Sequence, residues 1–296
     1  MIETPRGSVV ICGLPASGKT TFLAALWYVV FDRRDPNARL SFETLTGLDH
    51  SHLNAIMRRW LEAKEQIHTE VASGKIVSMN LRDGAARKVR MTFPDLSGES
   101  FQEIWETREC DQRLAELLRD CDGIMMFVNA DKIKRPIGVA ETTQQAAGLK
   151  GGAAAAGTPA KPKEWHPKDA PTAVKLVEML QMFRCGALNA PATRLALILS
   201  AWDTVEPENV TPEQYLASEL PLLDQYLRNG PDRWDVRVYG LSAQGGSFES
   251  EEIKDDEERN EKVAEIRALE DASDRIRLMK PELSKDLTEP IAWLTE

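Results

Sequence analysis

Residues Val9 to Leu23 read Val-Val-Ile-Cys-Gly-Leu-Pro-Ala-Ser-Gly-Lys-Thr-Thr-Phe-Leu. A short apolar run enters Gly-x-x-x-x-Gly-Lys-Thr, and apolar residues continue through Leu26, Val29 and Val30. Strand, glycine-bounded loop and helix in that order form the context in which such a loop binds phosphate. Successive main-chain N–H groups from Gly13 through Ala16, Ser17 and Gly18 to Lys19 are expected to point into one concavity, at the positive end of the following helix. The Lys19 ammonium is expected on the β- and γ-phosphates, and the Thr20 hydroxyl on a Mg²⁺ that bridges them. Thr21, at the same helix start, joins the expected nucleotide contacts. The plainer alternative is a glycine-rich turn before a core helix, and the agreement of motif with context argues against it.

A chain of 296 residues with 42% hydrophobic composition is ample for a buried core and fits one α/β domain carrying insertions. Its net charge of −10 and 6% aromatic content give no support for a broad nucleic-acid-binding face. No apolar run approaches the length of a membrane span and no secretory leader is evident, so a cytoplasmic location is expected. Cys12, Cys110, Cys121 and Cys185 are scattered without C-x-x-C spacing, as suits reduced, mostly buried thiols.

Along the chain, the periodicity predicts a short strand at 40–45 and an amphipathic helix through Leu53, Ile56, Met57, Trp60 and Leu61 toward Ile67. Two strands, 76–81 and 88–93, are joined by Asp83-Gly84-Ala85-Ala86 as an antiparallel hairpin. One helix is expected from Phe101 to Cys121, then a buried parallel strand at 123–128. Residues 131–171 turn to Gly, Ala, Pro, Lys and Gln and are expected to form a flexible inserted loop. A helix at 173–188, a strand at 194–200, a helix at 212–227 and a last strand at 236–241 follow. Residues 248–281 form a second, acidic insertion, read as a solvated helix or loop or as a docking surface for a basic partner. A final helix begins near a cap-like Thr288 and Pro290. The fold class is therefore α/β: a mostly parallel sheet with one antiparallel hairpin strand, covered by helices on both faces.

In such sheets ligands sit at the carboxyl ends of strands, and three further stretches lie there. Asp95-Leu96-Ser97-Gly98-Glu99 follows the hairpin, where Asp95 can hold a metal-bound water and the Gly98 amide can reach a γ-phosphate. Ser200-Ala201-Trp202-Asp203 ends the next parallel strand. A carboxylate at Asp203 accepts from guanine N1–H and the exocyclic amine, whereas adenine presents an acceptor at N1. Ser242-Ala243 ends the last strand, with amides for guanine O6.

With these residues in view, the chain resembles the Ras-like and translation-factor class of P-loop GTPases. The first box of that class matches at Gly13 to Thr20, the third at Asp95 to Gly98 and the fifth at Ser242-Ala243. The fourth, Asn or Thr, Lys, any residue, Asp, is half matched by Ser200 to Asp203. The Leu-Pro-Ala-Ser loop, Asp-Leu-Ser-Gly-Glu and the closing Pro-Ile-Ala-Trp-Leu are most similar to bacterial double-GTPase proteins of conflict or defence systems. The resemblance implies GTP and GDP as ligands, Mg²⁺ as cofactor, GTP hydrolysis, and protein partners from the same gene system. It also implies a metal-sensing threonine ahead of the hairpin, for which Thr69 is chosen over Thr44 and Thr46.

Two departures bear on chemistry. Ala201 stands where the family carries a base-stacking Lys, and Glu99 stands where Ras-like enzymes carry a water-orienting Gln. Lys19, Gly98 and Glu99 are the candidate catalytic set, with Glu99 equally readable as an acidic helix start. Two other functions share the motif: a P-loop kinase of small molecules or nucleotides, and a nucleotide-holding scaffold with negligible turnover.

Overall fold

A computed structural model describes residues 7–33, 35–46, 50–66, 76–94, 98–136, 165–186, 188–205, 210–230, 234–249 and 257–296. Among the described residues nine strands form one sheet in the order β2-β3-β4-β1-β5-β6-β7-β8-β9. These are β1 (Gly7–Gly13), β2 (Leu40–Thr46), β3 (Val77–Asp83), β4 (Lys88–Phe93), β5 (Gly123–Asn129), β6 (Arg194–Ser200), β7 (Asp235–Ser242), β8 (Arg277–Met279) and β9 (Leu283–Ser284). The five central strands, β4, β1, β5, β6 and β7, run parallel. Alternate residues of these strands feed two cores. Val9, Ile11, Met125, Phe127, Ala196 and Ile198 face one, while Val10, Cys12, Ile124, Met126, Leu195 and Leu197 face the other. Burial on both faces explains why β5 and β6 read as unbroken apolar runs.

One face is covered by α1 (Lys19–Trp27), α2 (His50–Leu61), α9 (Glu257–Arg267) and α10 (Glu289–Leu294). The other is covered by α3 (Glu99–Thr107), α4 (Gln112–Arg119), α5 (Thr172–Phe183), α7 (Pro212–Glu219) and α8 (Pro221–Asn229). A single turn, α6 (Trp202–Val205), follows β6.

Several elements differ from the sequence expectation. The helix expected from Phe101 to Cys121 is two helices, because Arg108 turns left-handed at φ 63° and the Asp111 carboxylate caps a new start through the amides of Arg113 and Leu114. The helix expected over 212–227 likewise divides: Pro221 has no N–H to donate, and Leu220 before it leaves the helical region at φ −129°, ψ 52°. The sheet does not stop at β7, and it carries more than one antiparallel strand. β8 and β9 continue it antiparallel on one side, and β2 extends the β3–β4 hairpin on the other. Strands of three and two residues are too short to leave a hydropathy pattern. Thr288 does not cap α10; its hydroxyl donates to Asp286 Oδ1 at 2.6 Å and accepts from Leu40 N–H at 3.0 Å, tying the helix to β2. The exposed His50 at the start of α2 lies edge-on to Trp27 and Phe31. In the acidic stretch, α9 buries Val263 and Ile266 against the sheet.

Candidate functional site: a phosphate loop and the strand ends beside it

β1 ends at Gly13 and α1 begins at Lys19, so residues 14–18 form the loop between them. Gly18 adopts φ 89°, ψ 4° immediately before the helix, and a Cβ there would lie 2.9 Å from Ser200 Oγ. Ala16 also takes a left-handed turn, φ 57°, a conformation costing an L-residue about 1–2 kcal/mol. Two side chains on neighbouring strands hold the loop in that shape. Asn129, at the end of β5, donates from Nδ2 to the Ala16 carbonyl at 3.0 Å. Ser200, at the end of β6, donates from Oγ to the Ser17 carbonyl at 2.8 Å. Turning successive carbonyls back toward the sheet leaves the following N–H groups facing the opposite way, the arrangement of an anion-binding nest.

Lys19 is 2% exposed, and its ammonium donates to the Gly13 carbonyl at 2.9 Å, the Leu14 carbonyl at 3.1 Å and Ser17 Oγ at 3.3 Å. Those bonds hold a cation at the mouth of the concavity. Gly98, left-handed at φ 82°, stands against the same cation: a Cβ there would meet Lys19 Nζ at 2.6 Å and the Gly13 carbonyl at 2.7 Å. Gly98 thus stands directly against the lysine of the phosphate loop. Glu99 follows as the exposed first residue of α3. That helix is anchored to α5 and the turn before it. Trp105 Nε1 donates to the Pro167 carbonyl at 2.9 Å, and Lys175 Nζ donates to the Lys168 carbonyl at 2.8 Å and Gln102 Oε1 at 3.4 Å. Burial lowers the pKa of Lys175.

Asp203 lies three residues beyond Ser200, in α6. Its Oδ1 is buried and has no hydrogen-bond partner among the described residues. The neighbouring Trp202 fixes its position: the indole packs on Gly240 of β7 so closely that a Cβ there would lie 2.5 Å from the ring. A buried carboxylate oxygen without a donor is costly unless a ligand supplies one. β7 runs beside β6 with Ser200 paired to Leu241, so Ser242 and Ala243 emerge next to the fourth-motif turn. Ser242 is 1% exposed and its Oγ accepts from Gly245 N–H at 3.1 Å.

Gly13, Ala16, Ser17, Gly18, Lys19, Thr20, Thr21, Gly98, Glu99, Asp203, Ser242 and Ala243 are therefore gathered at one end of the parallel strands. Asp95 and Thr69 lie outside the described residues, as does most of the 131–171 stretch. Sequence reasoning missed Asn129, whose only signal was its place at the end of the buried strand beside β1. It also missed Trp202, foreshadowed by a lone glycine in the β7 pattern. A surface cavity of about 420 Å³ near Gly7, Arg39 and Lys88 opens at the other end of β1 and is separate from this site.

The Thr20 hydroxyl has no partner among the described residues, and no cluster of three or more His, Cys, Asp or Glu side chains suited to a metal occurs among them. A Mg²⁺ held by one hydroxyl, phosphate oxygens and water fits that donor set. No helix among the described residues is long and apolar enough to cross a membrane.

A strand-to-helix phosphate loop, a lysine at its mouth, a glycine motif against that lysine and an orphaned aspartate beyond an adjacent strand define the class: a P-loop GTPase on a mixed, mostly parallel sheet. The chain belongs to the Double-GTPase 1 family of GTPases, whose model matches residues 10–294. No curated protein matches it. Among solved structures it is similar to the GTP-bound GTPase-like domain of Ski7 from S. cerevisiae, at 12% identity and TM-score 0.42, covering 81% of this chain and 43% of that one. It is similar to the small GTPase Arl6 of Trypanosoma brucei, at 13% identity and TM-score 0.35, covering 88% and 97%. A bacterial selenocysteine-specific elongation factor is matched at 10% identity and TM-score 0.36, over 82% of this chain; the chain spans about a quarter, 27%, of that factor's length.

Proposed function

We propose that this chain is a single-domain guanine-nucleotide switch, with insertions at 131–171 and 248–281, that hydrolyses GTP with Mg²⁺. We place it in the cytoplasm, acting with protein partners of the same bacterial conflict or defence system. The observation that carries the guanine reading is the buried, unpartnered Oδ1 of Asp203, set just past the strand end that grips the phosphate loop. That carboxylate accepts from guanine N1–H and the exocyclic amine, while main-chain donors at Ser242 and Ala243 take O6. The N–H groups from Gly13 to Lys19 bind the phosphates and Lys19 neutralises their charge. Thr20, with Asp95 and Thr69, would hold the metal, which neutralises the β- and γ-oxygens when bound.

Hydrolysis in this arrangement is positioning plus charge neutralisation. Gly98 N–H reaches the γ-phosphate and Glu99 orients or deprotonates the attacking water. Loss of the γ-phosphate releases the segments around Gly98 and Thr69, which gives the switch its two states. Glu99 also favours a second reading, a scaffold that holds nucleotide with negligible turnover, because its charge repels a γ-phosphate. The small-molecule kinase reading rested on the loop alone, and the family is one of GTPases.

The test is the nucleotide that copurifies, followed by binding and turnover of GTP and ATP by the wild type and Lys19→Ala. Guanine nucleotide in the purified protein, preference for GTP, and loss of binding in Lys19→Ala are expected. Preference for ATP, or equal binding by Lys19→Ala, overturns the reading. Retained GTP without phosphate release selects the scaffold.

A further inference from the structure

Trp60 lies on α2, far in sequence from every motif above, yet it is fully buried against the base-reading loop. Its indole Nε1 donates to the Ala243 carbonyl at 2.8 Å. Across a planar trans peptide, C=O and N–H point in opposite directions, so holding the Ala243 oxygen toward α2 aims the Gln244 N–H away from it. That N–H has no acceptor among the described residues.

The indole is itself immobilised. The Arg275 guanidinium lies 3.8 Å from the ring centroid on one contact, and the Tyr28 ring lies 5.4 Å away on another. Arg275 is 4% exposed and none of its three guanidinium nitrogens has a hydrogen-bond partner among the described residues, so the faces of Trp60 and Phe248 are what offset its burial. The same arginine backs the loop: a Cβ on Gly245 would lie 2.5 Å from Arg275 Cβ. Main-chain bonds then stitch the two segments together beyond the indole. Glu249 N–H donates to the Ala63 carbonyl at 2.8 Å and Glu65 N–H to the Glu249 carbonyl at 3.0 Å; from α9, the Arg267 side chain adds a bond from Nε to the Glu62 carbonyl at 2.8 Å. Residues 60–65 and 243–249 are thus tied together, and the Ala243–Gln244 peptide plane is held by α2.

We propose that Trp60 is the positioning residue for recognition of the purine 6-oxo group, holding the Ala243–Gln244 peptide so that the Gln244 N–H joins the Ser242 and Ala243 amides as a donor to that oxygen. This rests on the guanine reading of the site. Asp203 reads the opposite, 2-amino side of the base, and Trp60 has no part in that contact. The two halves of base recognition are therefore separable.

The experiment compares affinities for three diphosphates by competition against a fluorescent GDP analogue, in wild type and Trp60→Phe. The competitors are GDP, inosine diphosphate, which lacks the 2-amino group, and 2-aminopurine riboside diphosphate, which lacks the 6-oxo group and with it the N1–H; the Asp203 share of that second preference is common to wild type and variant. Wild type prefers GDP over both. In Trp60→Phe the preference for GDP over the 2-aminopurine ligand falls roughly tenfold, the scale of one net hydrogen bond, while the preference over inosine diphosphate is kept. A variant carrying the benzothienyl isostere of tryptophan at position 60, which keeps the ring shape and lacks the N–H, repeats the measurement without a packing change. Both preferences unchanged, or both falling together, overturns the proposal. A wild type that does not prefer GDP over the 2-aminopurine ligand overturns the guanine reading and the proposal with it, and so tells the two failures apart.

Discussion

Ser200 tests whether the strand ends, and not the loop alone, make the phosphate cradle. The residue is 5% exposed and its hydroxyl donates to the Ser17 carbonyl at 2.8 Å. Ser200→Ala removes one donor from a buried carbonyl, and an orphaned buried acceptor costs about 1–3 kcal/mol. Part of that loss is relaxed by rotating the Ser17–Gly18 peptide, which in turn misdirects the Gly18 N–H that should face phosphate. Assigning about 1–2 kcal/mol to the nucleotide-bound state gives a 5- to 30-fold weaker Kd. The loss acts at the phosphates, so GDP and ADP are weakened by the same factor and their ratio is unchanged. Isothermal titration of both nucleotides, with a thermal melt to score folding, measures it. Ser200→Thr keeps the hydroxyl and is expected to bind as wild type. A folded Ser200→Ala protein whose affinity for GDP changes less than twofold refutes the reasoning, as does a loss confined to GDP.

Gly98→Ala forces a Cβ to within 2.6 Å of Lys19 Nζ and 2.7 Å of the Gly13 carbonyl at a left-handed φ. Overpacking of about 1–3 kcal/mol at the γ-phosphate end is expected to lower single-turnover phosphate release about tenfold or more while GDP titration shifts less. Equal effects on the two would place Gly98 elsewhere in the cycle. Ala201→Lys restores the side chain that stacks on the base in related enzymes and should tighten GDP binding a few-fold, about 0.5–1 kcal/mol, in the same titration. Unchanged affinity would mean that the left-handed Ala201, φ 54°, aims its side chain away from the base.

The cysteines give a pH prediction. Burial pushes the Cys121 thiol up to about 12 and raises Cys12 further, whereas Cys185 is exposed. At pH 8 a maleimide should label Cys185 and leave Cys12 and Cys121 intact until denaturant is added. Because the folded state keeps a proton on Cys121 that the unfolded chain loses near pH 9, this group's contribution to stability is present below pH 9 and is lost as pH rises toward 12. Each of the two buried thiols, Cys121 and Cys12, adds a slope of about 1.4 kcal/mol per pH unit above pH 9, and urea melts between pH 8 and 10.5 measure their sum. A flat profile across that window would contradict the burial.

The class of the protein was legible because its chemistry is local. A phosphate loop needs glycines, a lysine and a hydroxyl at fixed spacing, so Gly13 to Thr20 declared both ligand and fold. The unbroken apolar runs at β5 and β6 declared a sheet covered on both faces. Boundaries were less legible where one residue overrides periodicity, as at Arg108 and Pro221, and short strands such as β8 and β9 exist only because β7 offers an edge to pair with. What the tertiary structure alone decided is the company each motif keeps. Nothing in the order of residues says that Asn129 and Ser200 grip successive carbonyls of the phosphate loop, that Gly98 stands against Lys19, or that an indole from α2 holds the loop after β7. Those contacts span up to 183 residues, and hydrogen bonding over such separations leaves no periodic trace in the chain. It is fixed by strand order and register, which depend on how the whole sheet closes its two cores.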